Sequence, residues 1–123
     1  MFFLLAISNQ QLVILLVKAE QKFIRISARK LRLIAQAMGG LSPQEALQKL
    51  QFIRKGGAEV LYKVVKQAIS NAVNVKKLDE KNLKFESIII GEGPTLKRWR
   101  PKARGRISPV SKRTCHVKVI LEG

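Results

Sequence analysis

The feature that most constrains the fold is a segment without a single acidic side chain, Gly93 to Arg113. This basic segment carries eight Lys and Arg residues. Its large apolar side chains are few, namely Leu96, Trp99, Ile107 and Val110. Because burying unpaired cations is prohibitively costly in free energy, the segment cannot contribute to a packed core. We expect it either to project from the folded body or to be disordered.

Two apolar stretches frame the basic segment and predict that it forms a hairpin. Leu83–Ile90 and His116–Leu121 both have the pattern of β-strands. Since both ends of the segment are then tied to neighbouring strands, we predict a two-stranded arm at about residues 91–115 that turns near Arg104-Gly105. Arms of about ten residues at about 3.3 Å each reach roughly 30 Å beyond the body. An isolated ribbon is barely stable in water, so we expect this arm to become ordered on its partner.

Three helices and one further strand are predicted before the arm. The first helix covers Ala28–Met38 and carries its apolar residues on one stripe. Ser42-Pro43 followed by Glu45 is typical of a capping box at the start of a second helix. The third and longest helix runs from about Ala58 to Lys76 and has one continuous apolar face. With a strand at Phe23–Ile26, the pattern predicts an α+β fold: a three-stranded antiparallel sheet packed on three helices, with a long protruding basic β-hairpin.

The first residues of the chain do not fit this pattern. Met1–Val17 has no charged side chain and contains two apolar runs separated by the polar stretch Ser8–Gln11. It lacks the basic start and the cleavage site of a signal peptide, and it is short for a membrane-spanning helix. We therefore divide the chain into an apolar extension of open role, residues 1–22, and a domain of residues 23–123. An extra strand or helix, a membrane or targeting role, and a start codon assigned too far upstream are the alternatives for the extension.

The charge of the chain indicates a polyanionic partner. There are 24 Lys and Arg residues against 8 Asp and Glu, and residues 93–123 hold nine of the cations against one acid. A compact body with a formal net charge of +16 repels itself unless a polyanion neutralises it. A nucleic acid is the first candidate, an anionic membrane the second and an acidic protein the third.

Single residues argue against several other classes of protein. Cys115 is the only cysteine, so no internal disulfide forms, as is usual in a reducing compartment. With His116 as the only histidine, the chain does not supply a four-ligand zinc site. The acids are few and scattered, and no serine has a plausible His and Asp partner. We therefore expect no enzymatic activity, no cofactor, no metal and no small-molecule substrate.

The arm and one stretch of the body supply the candidate RNA-binding residues. Arginine pairs with phosphate oxygens and stacks on bases, and an exposed tryptophan stacks on unpaired bases. RNA is favoured over duplex DNA because no recognition-helix motif is present. The candidates on the body are Arg25, Arg29 and Arg32, spaced as one helical stripe, with Lys30 beside them. The candidates on the arm are Lys97, Arg98, Trp99, Arg100, Lys102, Arg104, Arg106, Lys112 and Arg113.

Less specific interpretations of these cations stay open at this point. The body cations are also typical of an ordinary solvated helix face. The arm is also compatible with a solvated tail or a localisation signal. A peripheral membrane protein that inserts Met1–Val17 and lays the arm on anionic lipid is the alternative from a different class.

Five sequence stretches together match a pattern known from one protein family. They are Ser27–Ile34 (SARKLRLI), Ala68–Ala72 (AISNA), Glu92–Arg98 (EGPTLKR), Arg100–Arg106 (RPKARGR) and Lys112–His116 (KRTCH). In this order, over about Phe23 to Leu121, they resemble the bacterial-type family of large-subunit ribosomal protein L22.

The resemblance implies a structural constituent of the large ribosomal subunit that binds large-subunit rRNA and aids its assembly. In that family a long hairpin lines the nascent-peptide exit tunnel. The implied partners are therefore the rRNA, neighbouring large-subunit ribosomal proteins and the nascent peptide. The implied location is the ribosome of a bacterial cytoplasm or of an organelle.

The resemblance also implies positions along the hairpin. Lys97 and Arg98 would lie in the part that is associated with macrolide sensitivity in the family. The tip would be formed by Arg104, Gly105, Arg106 and Ile107. Near the base, His116 would join Lys112 and Arg113 as an RNA-binding residue.

Overall fold

The computed structural model describes residues 16–123 and confirms the α+β fold. In this part of the chain the strands are β1 (Leu16–Ile24), β2 (Lys84–Glu92), β3 (Leu96–Pro101), β4 (Ile107–Lys112) and β5 (Cys115–Glu122). The helices are α1 (Ala28–Ala37), α2 (Pro43–Phe52) and α3 (Gly56–Asn74). Residues 16–123 include no helix with the length and apolar character needed to cross a membrane.

Strand β1 lies earlier in the chain than the predicted strand Phe23–Ile26. It begins at Leu16, and its side chains alternate between buried Val17 and Ala19 and exposed Lys18. The alternation is hard to recognise in the sequence because alanine is a weak strand former. Residues 16–22 are thus part of the sheet, whereas residues 1–15, which hold most of the apolar run, lie outside the described residues.

The main sheet is antiparallel throughout, with the strand order β1-β5-β2. In the central strand β5, the alternating side chains Val117, Val119 and Leu121 are all fully buried. Helix α3 packs against β1 and β5, α1 packs against β2, and α2 packs against α3. The predicted three-stranded sheet packed on three helices is therefore confirmed.

The helix boundaries follow local sequence signals. The capping box of α2 is present: the Ser42 hydroxyl accepts from the Glu45 N–H at 3.4 Å, and the Glu45 carboxylate accepts from the Ser42 N–H at 3.3 Å. Helix α1 buries Ala28 and Leu31 of its predicted apolar stripe, and it also buries Ile34. Helix α3 starts at Gly56, two residues before the predicted Ala58, so the glycine pair forms its first turn.

The basic segment forms a second, two-stranded sheet, as predicted. Strands β3 and β4 pair with each other in an antiparallel register from Leu96↔Lys112 to Pro101↔Ile107. Every residue of β3 is exposed, and β4 is at most half-buried. The hairpin therefore stands outside the core, which explains how the chain carries so many cations there.

Candidate RNA interface

The alternation of side chains gives the hairpin two chemically different faces. Neighbouring residues of a strand point to opposite sides, and directly paired residues share a side. One side, the cationic face, therefore holds Leu96, Arg98 and Arg100 of β3 with Ser108, Val110 and Lys112 of β4. The structure thus brings Arg98, Arg100 and Lys112, which are separate in sequence, onto one surface.

The opposite side of the hairpin is mainly apolar. It holds Lys97, Trp99 and Pro101 of β3 with Ile107, Pro109 and Ser111 of β4. Trp99 is 69% exposed, although an indole ring is among the most favourable groups to bury. An exposed ring at this position is available for stacking on a base, as the sequence analysis predicts.

The tip is a tight turn that presents three cations. Arg104 and Gly105 both have a positive φ, 60° and 69°, which is the pattern of the turn that best fits the twist of a hairpin. The Lys102 N–H closes the turn by donating to the Arg106 carbonyl at 2.6 Å. The predicted turn at Arg104-Gly105 is confirmed, and Lys102, Arg104 and Arg106 are all exposed around it.

Close backbone contact at Gly93 ties the hairpin to the main sheet. The Gly93 N–H donates to the Thr114 carbonyl at 3.0 Å, and the Thr114 hydroxyl donates to the Pro94 carbonyl at 2.6 Å. A Cβ at Gly93 would lie 2.7 Å from the Thr114 hydroxyl and 3.1 Å from Cε1 of His116. Only glycine leaves room for this junction, so the hairpin continues from β2 and β5 in a defined direction.

Two of the predicted body cations anchor this junction instead of forming a helical stripe. Arg25 precedes α1, and its Nη1 donates to the Arg113 carbonyl at 2.6 Å. Arg32 donates to the Ile90 carbonyl of β2 through Nη2 at 2.8 Å and Nε at 3.3 Å. The predicted single stripe of three arginines is therefore wrong, because the chain bends between Ile24 and the start of α1. Arg29 is exposed on α1.

His116 is half-buried and contacts the end of β1. Its Nδ1 accepts a hydrogen bond from the Phe23 N–H at 3.0 Å, and the two rings meet edge to face with centroids 5.0 Å apart. An imidazole that accepts at Nδ1 carries its proton on Nε2 when neutral, so Nε2 is the nitrogen left for an external partner. Phe23 itself adopts a positive φ of 58° beside an irregularity in the β1–β5 register.

Buried Cys115 has the character of a structural residue. It is fully buried, and burial raises the pKa of its thiol above the ordinary value, while the Arg32 guanidinium acts in the opposite direction. A thiol of this kind is a poor nucleophile at neutral pH. Residues 16–123 also contain no group of three or more His, Cys, Asp and Glu side chains that is able to hold a metal ion.

The cations are almost entirely unused in ion pairs within the described part of the chain. There, Lys63 and Glu59 form one ion pair at 3.3 Å on the surface of α3. No hairpin cation has a carboxylate within ion-pair distance in residues 16–123. The charge of the hairpin is therefore not neutralised by carboxylates within residues 16–123 and is available to an external anion.

Sequence reasoning missed two lysines that lie near the predicted Lys30. Lys49 of α2 and Lys55 before α3 line a pocket together with Lys30 of α1. The three belong to different elements, so their proximity depends on how the helices pack and has no local sequence signal.

Comparison with known proteins matches most of this chain to one protein family. The family model described as ribosomal protein L22p/L17e matches residues 19–122. Large ribosomal subunit protein uL22 of Pediococcus pentosaceus is 42% identical over 104 residues, which cover 85% of this chain and 88% of the relative. The protein of the same name from Akkermansia muciniphila is 44% identical over 105 residues, covering 85% of this chain and 94% of the relative.

A third relative has a similar match. Large ribosomal subunit protein uL22 of Lacticaseibacillus casei is 45% identical over 103 residues, which cover 84% of this chain and 88% of the relative. The matched range includes the whole hairpin, the three helices and most of the main sheet. The chain therefore belongs to the family of ribosomal protein L22p/L17e.

Proposed function

We propose that this chain is a structural constituent of the large ribosomal subunit that binds large-subunit rRNA. The observation that carries the proposal is the exposed, acid-free hairpin, whose cations have no carboxylate partner in the described residues. Membership of a ribosomal protein family supports rRNA as the polyanion that neutralises them. The protein acts by binding and by guiding assembly of the subunit, and it has no catalytic role.

The hairpin is the principal contact with rRNA in this proposal. Arg98, Arg100 and Lys112 on the cationic face pair with phosphate oxygens, since guanidinium and ammonium groups bind them by charge-assisted hydrogen bonds. Trp99 on the opposite face stacks on an unpaired base or packs against a neighbouring component. Arg29, Lys30 and Arg113 extend the contact along the body.

We also propose that the hairpin lines the nascent-peptide exit tunnel. The hairpin is narrow, projects from the core and ends in the tight turn of residues 103–106. A hairpin of this shape fits between rRNA and the open channel of the tunnel. The residues closest to the nascent peptide are then Arg104, Gly105, Arg106 and Ile107. Neighbouring large-subunit proteins then surround the body, and the protein is located on the ribosome of a bacterial cytoplasm or of an organelle.

A binding experiment with the full chain tests the rRNA proposal. Affinity for a large-subunit rRNA transcript is measured by filter binding between about 50 and 300 mM salt, where each released counterion steepens the salt dependence. We expect the combined variant Arg98→Glu, Arg104→Glu and Arg106→Glu to bind at least about 100-fold more weakly than the wild type. Its salt slope should be lower by roughly 2 to 3.

The matched control carries the same change in charge away from the hairpin. Lys76, Lys81 and Lys84 are exposed on the body, and their combined replacement by glutamate should weaken binding far less. If the hairpin variant and this control bind alike, the charge of the hairpin is not what recognises rRNA. If the wild type binds the transcript with no dependence on salt, the proposed function is wrong.

A further inference from the structure

A pocket of about 600 Å³ lies where α1 meets α2 and the start of α3. We name it the lysine pocket and define it by six of its lining residues, which are Lys30, Leu33, Ile34, Lys49, Ile53 and Lys55. Its volume lies within the range of about 300–1,000 Å³ that is usual for small-molecule sites. Its walls therefore combine apolar side chains with cations, and no acidic side chain lines it.

The lysines of the pocket have different roles. The Lys49 ammonium group donates to the Ala37 carbonyl at 2.8 Å, so it caps the last turn of α1 and holds α2 against it. Lys30 and Lys55 are exposed, and in the described residues neither has a carboxylate within ion-pair distance. Two ammonium groups at the rim are therefore available to an anionic ligand.

The apolar part of the pocket is partly open to solvent. Leu33 is 60% exposed, although it is flanked on α1 by buried Leu31 and Ile34. Ile53 is half-buried at the opposite wall. A flat apolar group between Leu33 and Ile53 would cover surface that is otherwise in contact with water, which is favourable by the hydrophobic effect.

An unpaired nucleotide has the chemistry that matches both parts of the pocket. Its base offers a planar surface to apolar and aliphatic groups, and its two flanking phosphates offer charge to lysines. A base is free to enter the pocket only where the RNA strand is not part of a regular helix. Single-stranded and looped RNA provides such bases.

The position of the pocket also favours RNA over an acidic protein. Arg29, next to Lys30 on α1, lines a cleft at the base of the hairpin together with Arg113, and Glu92 is the one acidic residue that lines this cleft. Arg29 at this cleft and Lys30 at the lysine pocket are neighbours in the first turn of α1, so a cation of α1 lies at each of the two sites. A strand that follows the cationic surface from the hairpin reaches the lysine pocket next.

We propose that the lysine pocket binds an unpaired nucleotide of single-stranded RNA, with its base against Leu33, Ile34 and Ile53 and its phosphates on Lys30 and Lys55. This inference rests on the proposed function, since it names a second contact with the same RNA. It differs from the hairpin contact because the base lies against aliphatic side chains in a pocket between helices and not on an exposed indole ring.

Methyl NMR of the full chain, labelled at isoleucine and leucine, tests the proposal. The probes are hexa-adenylate and an abasic hexaribonucleotide with the same number of phosphates. We expect hexa-adenylate to shift the methyl signals of Leu33, Ile34 and Ile53 in a saturable manner, and the abasic probe to shift them much less. The double variant Lys30→Gln and Lys55→Gln should bind at this site roughly tenfold more weakly.

The control removes two charges at the other end of α3. Lys76 and Lys81 are exposed and follow Asn74, the last residue of α3, which lies roughly 27 Å along the helix from Gly56 at about 1.5 Å per residue. Their joint replacement by glutamine should leave the methyl titration unchanged. Equal weakening in the control would mean that net charge, and not the pocket, determines the binding.

The other outcomes separate this inference from the proposed function. Equal shifts with the abasic probe overturn the base site, and equal shifts with polyglutamate point to an acidic protein instead. If the methyl signals of the pocket do not shift while the Trp99 indole signal does, the inference is wrong and RNA binding by the hairpin stands. If neither region responds and the rRNA transcript also fails to bind, both proposals are wrong.

Discussion

At the scale of single residues, the glycine pair that opens α3 has two different environments. A Cβ at Gly57 would lie 2.8 Å from Ile34 Cδ1 and 2.8 Å from Leu31 Cδ2, both in the core. A Cβ at Gly56 would meet nothing within 4 Å. The missing side chain at Gly57 therefore allows α1 and α3 to approach each other closely.

The two glycines give a matched pair of substitutions. We expect Gly57→Ala to lower the free energy of unfolding by about 1–3 kcal/mol, because overpacking forces core side chains out of position. Gly56→Ala should be neutral or stabilising by up to about 1 kcal/mol, since alanine is the better helix former. Urea denaturation followed by circular dichroism measures both. Equal stability of the two variants would contradict the close packing of α1 on α3.

Individual contacts were predictable only where they depend on near neighbours in sequence. The capping box of Ser42 and Glu45 was predicted and is present, because its partners are three residues apart. The hydrogen bond from Phe23 to His116 spans 93 residues and had no local signal. Arg32 was predicted as an RNA-binding residue, and its hydrogen bonds to Ile90 were missed for the same reason.

At the scale of elements, the turn of the hairpin is suboptimal for its conformation. Turns with a positive φ at both central residues favour Asn-Gly, because asparagine tolerates this region better than longer side chains do. Here Arg104 occupies the first central position with a φ of 60°. Arg104 therefore places a positive charge at the tip of the hairpin, and the turn is locally less stable than it would be with asparagine at this position.

Replacing the turn residue should change how well the free hairpin is formed. We expect Arg104→Asn to slow amide hydrogen exchange in β3 and β4 relative to Arg104→Gln, which removes the same charge without the turn preference. The urea midpoint of the body should be the same in both variants, because the hairpin does not contribute to the core. Exchange that is equally fast in the two variants would contradict this account of the turn.

Elements whose apolar residues recur at regular spacing were predicted well, and elements with an irregular backbone were not. The third helix was placed within two residues at each end, since its apolar stripe is long. The sequence predicts the first strand too late in the chain, because Phe23 does not begin β1 but lies at its irregular end with a positive φ. That the arm becomes ordered only on its partner stays a prediction. Amide hydrogen exchange in β3 and β4 of the free protein measures it.

At the scale of the whole molecule, packing and charge are separated in space. The described apolar core is formed by three helices and one sheet face, and the cations lie outside it on the hairpin, along α1 and around the lysine pocket. The sequence predicted this division from the uneven distribution of charge. It did not predict the lysine pocket, because Lys30, Lys49 and Lys55 meet only after three helices have packed.

A structure of an assembled particle tests the central claim, which is that the hairpin is held by rRNA. Cryo-electron microscopy would be performed on bacterial large subunits in which this chain replaces the resident family member. We predict that the hairpin extends along rRNA with Arg98, Arg100 and Lys112 at hydrogen-bond distance from phosphates, and with its tip at the wall of the exit tunnel. A hairpin that folds back on its own body, or that points into solvent away from any nucleotide, would contradict the claim.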